Sequence, residues 1–274
     1  MNARQIGILT NDPTPVFQRN VIAGVREVAD ARDYEIVIET DFRNAEAANR
    51  FPFDPFHVQG VLVIANAASN RFLQEMHNTG VPITLVSHQV PGSSIPAVFS
   101  NNAQGIAALV THLVKRCGRR RLVYVGGIAD QIDAIQREMA FADEVMRHNL
   151  KETHFLEGAF SAQVAVESLR RWRESGTPFD AVLAADYLMA IAIVEDLRAS
   201  RIAVPEQVAV VGFGNGTEAE DIGLTTVSAD ITELGQHAAR QLIRQIEGLR
   251  IRGTTTLSVE LVVRETCGYC LIDA

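Results

Sequence analysis

Short, nearly unbroken apolar runs alternate along the chain with longer segments whose apolar residues recur at helical spacing. Residues 208–213 (VAVVGF) show the first pattern, which suits a strand covered on both faces, as in a parallel sheet. This run ends in a turn cluster formed by Gly212, Gly214, Asn215 and Gly216. A second apolar strand at 224–227 follows, and Asp230 then precedes a strongly helical segment. A buried strand therefore empties into a polar loop at its carboxyl end, where open α/β sheets bind ligands. We read this loop as one wall of a small-molecule pocket.

The same grammar predicts the rest of the chain. Residues 5–10 form a first strand, and Phe17, Val21, Val25, Val28 and Ala29 mark a first helix, capped by Thr14 with Pro15 in its first position. Strands follow at 34–40, 60–64, 82–86 and 97–99, with helices at 69–78 and 102–117. Residues 41–57 read as irregular, because Pro52 and Pro55 break any helix. The pattern then restarts, with strands at 121–125, 154–156, 181–184 and 208–213 and helices at 132–147, 161–175 and 187–200. A helix at 232–247 carries Leu234, Ala238, Leu242 and Ile246 on one face, and 255–263 is the last strand. Strict alternation means an α/β fold with parallel sheets and helices on both faces, and two successive runs predict two similar subdomains.

Composition narrows the function. The 274 residues are 47% hydrophobic, ample for a globular core, and 33 acidic against 25 basic residues give a net charge of -8. That balance argues against this segment gripping nucleic acid by itself. No apolar run is long enough to span a bilayer, and no signal peptide is apparent. Cys117, Cys267 and Cys270 do not make a disulfide framework and fit a reducing cytoplasm.

Several motifs invite a chemical reading. The glycines at 212, 214 and 216 approach a dinucleotide fingerprint, but Thr217 stands in place of the third glycine and Glu218, Glu220 and Asp221 would repel a pyrophosphate. A cofactor is therefore not expected. Cys267 and Cys270 form a lone CxxC with no second ligand pair apparent, so we read them as ordinary thiols in a frayed tail and expect no metal site. The basic run 115–121 (KRCGRRR) reads as a solvated helix end that complements the helix dipole. Asp133 and Arg137, four apart on one helix face, are either a surface ion pair or a ligand-binding pair. His88, at a strand end, is a base, a ligand contact or a capped loop residue. No catalytic constellation emerges, so the chain reads as a non-enzyme.

The string VPEQVAVVGFGNG…LTTVSADITELGQHAARQLIRQIEG, followed by LVVRETC, resembles the effector-binding half of LacI/GalR-type transcriptional regulators. IGILTND…VFQRNVIAGVREVADARDYEIVI, QGVLVI, VPITLVSH and RRRLVYVGG…QREMAF fit as well, so the likeness covers essentially the whole chain. The resemblance implies a periplasmic-binding-protein type I fold with two Rossmann-like subdomains. Residues 4–117 plus 231–252 would form the amino-terminal subdomain and 118–230 plus 253–268 the carboxyl-terminal one, with a ligand cleft between them. It further implies a homodimer that senses a sugar-like or nucleoside-like effector. DNA would be bound only through a domain not in this chain, with no membrane contact and a cytoplasmic location. An alternative is the input domain of a signalling enzyme, such as a cyclase or histidine kinase, or a solute-binding protein.

Site residues carry over by position. Val16 and Phe17 match an aromatic pair after the first strand, and Ser87 and His88 take the place of a frequent Asp-Arg pair. Asp133 and Arg137 match effector-contacting helix positions, and Phe160 matches an aromatic that stacks on the ligand. Asp186 matches the acidic residue of an Asn-Asp pair whose asparagine is here Ala185. Asn215 stands, with Gly214, where aspartates are usual. Asp12 and Asn66, in the loops after the first and third strands, complete the set. Losing a hydroxyl-binding carboxylate costs about 1 kcal/mol or more for a sugar, which puts a standard hexose in doubt.

Overall fold

The computed structural model describes residues 4–40, 42–48, 50–54 and 56–268. Pro55 and Cys270, both named above, lie outside them. The chain divides into two compact units, Met1–Ser100 with Asp230–Leu257, and Asn101–Ala229 with Ser258–Ala274.

The first unit opens with β1 (Arg4–Leu9), α1 (Val16–Asp30), β2 (Tyr34–Glu39), α2 (Arg43–Ala47), β3 (Val58–Ile64), α3 (Asn70–Asn78), β4 (Ile83–Val86) and β5 (Ala97–Ser100). The second holds α4 (Asn102–Lys115), β6 (Arg121–Val125), α5 (Ile132–Arg147), β7 (Glu152–Leu156), α6 (Ala162–Glu174), β8 (Ala181–Ala184), α7 (Tyr187–Ala199), β9 (Ala209–Phe213), α8 (Thr217–Asp221) and β10 (Thr225–Ser228). The chain then returns to the first unit with α9 (Ile231–Ile246) and β11 (Thr254–Leu257), and to the second with β12 (Glu260–Val262) and the 3-10 turn Glu265–Cys267.

Both sheets repeat one order. The first runs β11-β5-β4-β3-β1-β2, and the second β12-β10-β9-β8-β6-β7. Every pairing is parallel except β10 with β12. In each sheet the chain moves outward one way and then jumps back past its first strand. The resulting switch points, β1/β3 and β6/β8, leave a crevice at the carboxyl strand ends, where doubly wound sheets take ligands.

The central strands β4, β5, β8 and β9 are buried along their whole length, as their apolar sequences require. Edge strand β7 is largely accessible. In the first unit Ile6, Ile8, Leu62 and Ile64 pack with Val21 and Val25 of α1 and Leu234, Ala238 and Leu242 of α9. Helices α1 and α9 touch backbone to backbone. A Cβ at Gly24 would strike the carbonyl of Thr232, and one at Gly235 the carbonyl of Val21. Side-chain caps set several helix starts: Ser69 accepts from Phe72 N at 3.3 Å, Asn101 from Gln104 N at 3.0 Å and Asp230 from Glu233 N at 2.8 Å.

The structure corrects four expectations. Thr14 does not cap α1; its N–H and hydroxyl both donate to Asp12 Oδ1, at 2.8 and 2.7 Å, and Pro15 holds the cap position without a side-chain bond. The segment 41–57 contains the short helix α2. The single strand expected at 255–263 is two, because Thr254–Leu257 runs parallel to β5 and Glu260–Val262 antiparallel to β10. The boundaries expected at 117/118 and 252/253 fall instead at 100/101 and 257/258. Helix α4 joins the second unit because Ile106, Leu109, Val110 and Leu113 pack into its core, and Gly105 lets Phe213 and Val227 approach.

Candidate functional site

In the first unit the candidate residues gather at the carboxyl ends of β1, β3 and β4. Strands β3 and β4 end in residues with left-handed backbone, Ala65 (φ 51°) and Ser87 (φ 53°), which turn the chain sharply into its loops. His88 is thereby turned inward and is only 7% exposed. Its Nδ1 lies 3.1 Å from Asn66 Oδ1 and its Nε2 2.9 Å from Asn70 Oδ1. Burial lowers the His88 pKa, so the ring is neutral and has one donor and one acceptor. One of the two amides must then turn its NH2 toward the ring. Asn66 is linked to the first loop through its backbone carbonyl, which accepts from Asn11 Nδ2 at 3.4 Å. The Ser87 hydroxyl is buried and finds no hydrogen-bond partner among the described residues. An unpaired buried hydroxyl is costly, and it is an available donor and acceptor at the strand end.

Asp12 is exposed, and its carboxyl sits below the ordinary range because the Thr14 N–H and hydroxyl bond to it. Val16 and Phe17 are half-buried in the first turn of α1, and Phe17 packs against the unit's apolar core.

The second unit holds the more constrained cluster. Arg137 on α5 is 9% exposed. Its Nε donates to Asn102 Oδ1 at 2.8 Å and its Nη1 to the Ala185 carbonyl at 2.7 Å. The guanidinium lies over the Phe213 ring, 3.9 Å from Cζ to the centroid, a cation–π contact. Asp133 Oδ2 stands 3.9 Å from Arg137 Nη2, an ion pair too long for a hydrogen bond. Asp133 Oδ1 instead accepts from Asn102 Nδ2 at 2.8 Å, and the same amide reaches Gln136 Oε1 at 2.8 Å. The fork of Arg137 is thus fixed through its Nε and Nη1.

Asp186 caps α7, accepting from Met189 N at 2.7 Å. Burial pushes its carboxyl above the ordinary range, opposed by the Met189 N–H and the Arg137 charge. Phe160 follows β7 with φ 50°, and its ring lies on Gly127, where a Cβ would collide with it. Asn215 follows β9, but its Oδ1 already accepts from Arg264 Nη2 at 3.1 Å. A mainly apolar cavity of about 480 Å³ lined by Gly126, Ile128, Ile135, Met139 and Phe155 shares none of the candidate residues.

Sequence reasoning missed Asn102, Phe213 and the Ala185 carbonyl. Asn102 was visible only as the second of two asparagines at a helix start. The first caps α4, and the second, 2% exposed, joins Arg137 to Asp133.

Residues 110–267 match the sequence model of the periplasmic binding protein-like domain. Among curated proteins, the transcriptional regulator CelR of Thermobifida fusca is 28% identical over 254 residues, covering 90% of this chain and 73% of that protein. The arabinose metabolism transcriptional repressor of Geobacillus stearothermophilus is 24% identical, covering 97% and 77%. Among solved structures, a dimeric Lac repressor superposes with a TM-score of 0.84 at 20% identity, covering 96% of this chain and 98% of that one. A CelR–cellobiose complex superposes with a TM-score of 0.82 at 23% identity, covering 97% and 86%.

Proposed function

From the premise that this chain belongs to the periplasmic-binding-protein-like domain family and is the effector-binding region of a LacI-type transcriptional regulator, we propose that its effector is a neutral, polyhydroxylated small molecule of the carbohydrate class. The observation that supports this most is the Arg137 cluster. A buried guanidinium held at two points presents donors in a fixed direction, and Asp133 beside it offers an acceptor. Adjacent donor and acceptor suit the neighbouring hydroxyls of a sugar, each of which donates and accepts. Asp133 and Asp186 offset the positive charge, so an anionic ligand is not required. In the first unit His88, Asn66 and Ser87 supply a second mixed set. The ring of Phe160, in the same unit as Arg137, covers the apolar face of the effector in this reading. The solved CelR–cellobiose complex supports a sugar ligand for a relative of this fold.

The chain acts as a homodimer in this proposal, and DNA is bound by a separate domain. The effector shifts a conformational equilibrium of the chain only by its difference in affinity for the two states. Its relatives named above are regulators rather than enzymes. They lend no support to a signalling-enzyme input domain or a solute-binding protein.

A thermal-shift screen against mono- and disaccharides, polyols, nucleosides and amino acids tests the proposal. A sugar at a hundredfold excess over its Kd should add about 2.7 kcal/mol to stability and raise the Tm. A hit confined to nucleosides or amino acids, with sugars silent, overturns the carbohydrate assignment.

A further inference from the structure

The CxxC at the end of the chain does not begin in a frayed tail. Cys267 is fully buried at the end of the 3-10 turn Glu265–Cys267. Three bonds at the neighbouring Thr266 fix that turn to the second sheet. Thr266 Oγ1 donates to the Val210 carbonyl at 2.7 Å and accepts from Thr225 N at 3.0 Å, and Thr266 N donates to the Gly223 carbonyl at 3.1 Å. The thiol is delivered to the carboxyl-terminal end of α4, where His112 is buried and Cys117 is half-buried. His112 Nε2 lies 3.3 Å from Cys267 Sγ. One ligand atom from each of His112, Cys117 and Cys267 falls within 4.8 Å of the other two.

We propose that His112, Cys117 and Cys267 form a site for a thiophilic, tetrahedral divalent cation of the zinc type, which ties the end of the chain to helix α4. Zinc bonds of about 2.3 Å to sulfur and 2.0 Å to nitrogen put tetrahedral ligands about 3.5 Å (N to S) and 3.8 Å (S to S) apart. The observed spacings reach those values with shifts of a few tenths of an ångström up to about 1 Å. One neutral imidazole and two thiolates balance a divalent charge, so the loaded site buries no net charge. The half-exposed Cys117 gives the ion a way in. A histidine among the ligands fits a metal better than a disulfide. The fourth tetrahedral position is open to water. This site shares no residue with those proposed to hold the effector and does not depend on that proposal.

The test is cobalt(II) titration of the reduced, metal-stripped 274-residue chain. Tetrahedral cobalt with thiolate ligands gives intense visible ligand-field bands and a thiolate charge-transfer band, both of which should saturate at one equivalent and be displaced by zinc. Cys117→Ser and His112→Gln should each weaken binding by about tenfold or more, with the circular dichroism of the folded chain unchanged. Cys117 is the safer variant, because it is not fully buried. No charge-transfer band in a chain with all thiols titratable overturns the site. So does a band that survives in both Cys117→Ser and His112→Gln, or a Cys117–Cys267 disulfide that forms on mild oxidation while cobalt is ignored.

Discussion

The guanidinium of Arg137 rests on the ring of Phe213, with Cζ 3.9 Å from the ring centroid. The two side chains come from α5 and the end of β9, and the ring's position is set in turn by α4, where a Cβ at Gly105 would approach Phe213 Cε2 to 2.5 Å. The floor under the arginine is therefore built by tight packing behind it.

That arrangement makes lysine a poor substitute. Arg137→Ala should weaken effector binding by about 2 kcal/mol or more, the scale of a charged hydrogen bond in a buried site. Arg137→Lys should fail to restore it, because an ammonium cannot hold the bonds to Asn102 and Ala185 while lying flat on the ring. Titration calorimetry with a hit from the screen checks both. Unchanged affinity in Arg137→Ala places the effector elsewhere.

Asn102 separates position from contact. Asn102→Ala removes the acceptor for Arg137 Nε and the donor to Asp133, leaving two buried groups without their partner. Stability should fall by about 1–3 kcal/mol in urea denaturation, with effector affinity falling as well. Full stability in this variant contradicts the network described here.

The buried His88 predicts a pH dependence. Its folded pKa lies below the 6.5 of a free histidine, so the unfolded chain takes up the proton first as pH falls. The stability of the neutral form is fully present above pH 6.5 and is lost as pH drops below that value toward the folded pKa. The Tm of the wild type should fall over this window, and that of His88→Gln should fall less. Parallel curves for the two proteins assign the acid sensitivity to other groups.

Helix α1 cannot sit against α9 without its glycine. In Gly24→Ala the methyl group meets the Thr232 carbonyl, which belongs to backbone and cannot swing aside. A loss of about 1–3 kcal/mol is expected from overpacking, read as a lowered urea midpoint. Gly80→Ala, where nothing lies within 4 Å but φ is +87°, isolates the cost of backbone strain alone.

Phe160→Ala should weaken binding of a ring-shaped effector by about 1 kcal/mol, with little loss of stability, because the ring is only half-buried on Gly127. An unaltered Kd removes the stacking role.

The sequence by itself determined the alternation of strands and helices, because buried parallel strands must be apolar throughout and covering helices apolar on one face. It also placed Asp133 and Arg137 on one face of α5, since a spacing of four does so in any helix. Beyond that point local pattern is silent. Residues 255–263 read as one strand, yet Thr254–Leu257 and Glu260–Val262 join different sheets, because pairing is settled by which edge is open. The periodicity of α4 shows that it is amphipathic but not which sheet takes its apolar face. Asn102 meets Arg137 across 35 positions, and His112 meets Cys267 across 155. Contacts of that range are made by the crossover connections of the fold, and only the tertiary structure turns a helix-start asparagine into a bridge and a chain-end cysteine into part of a three-ligand cluster.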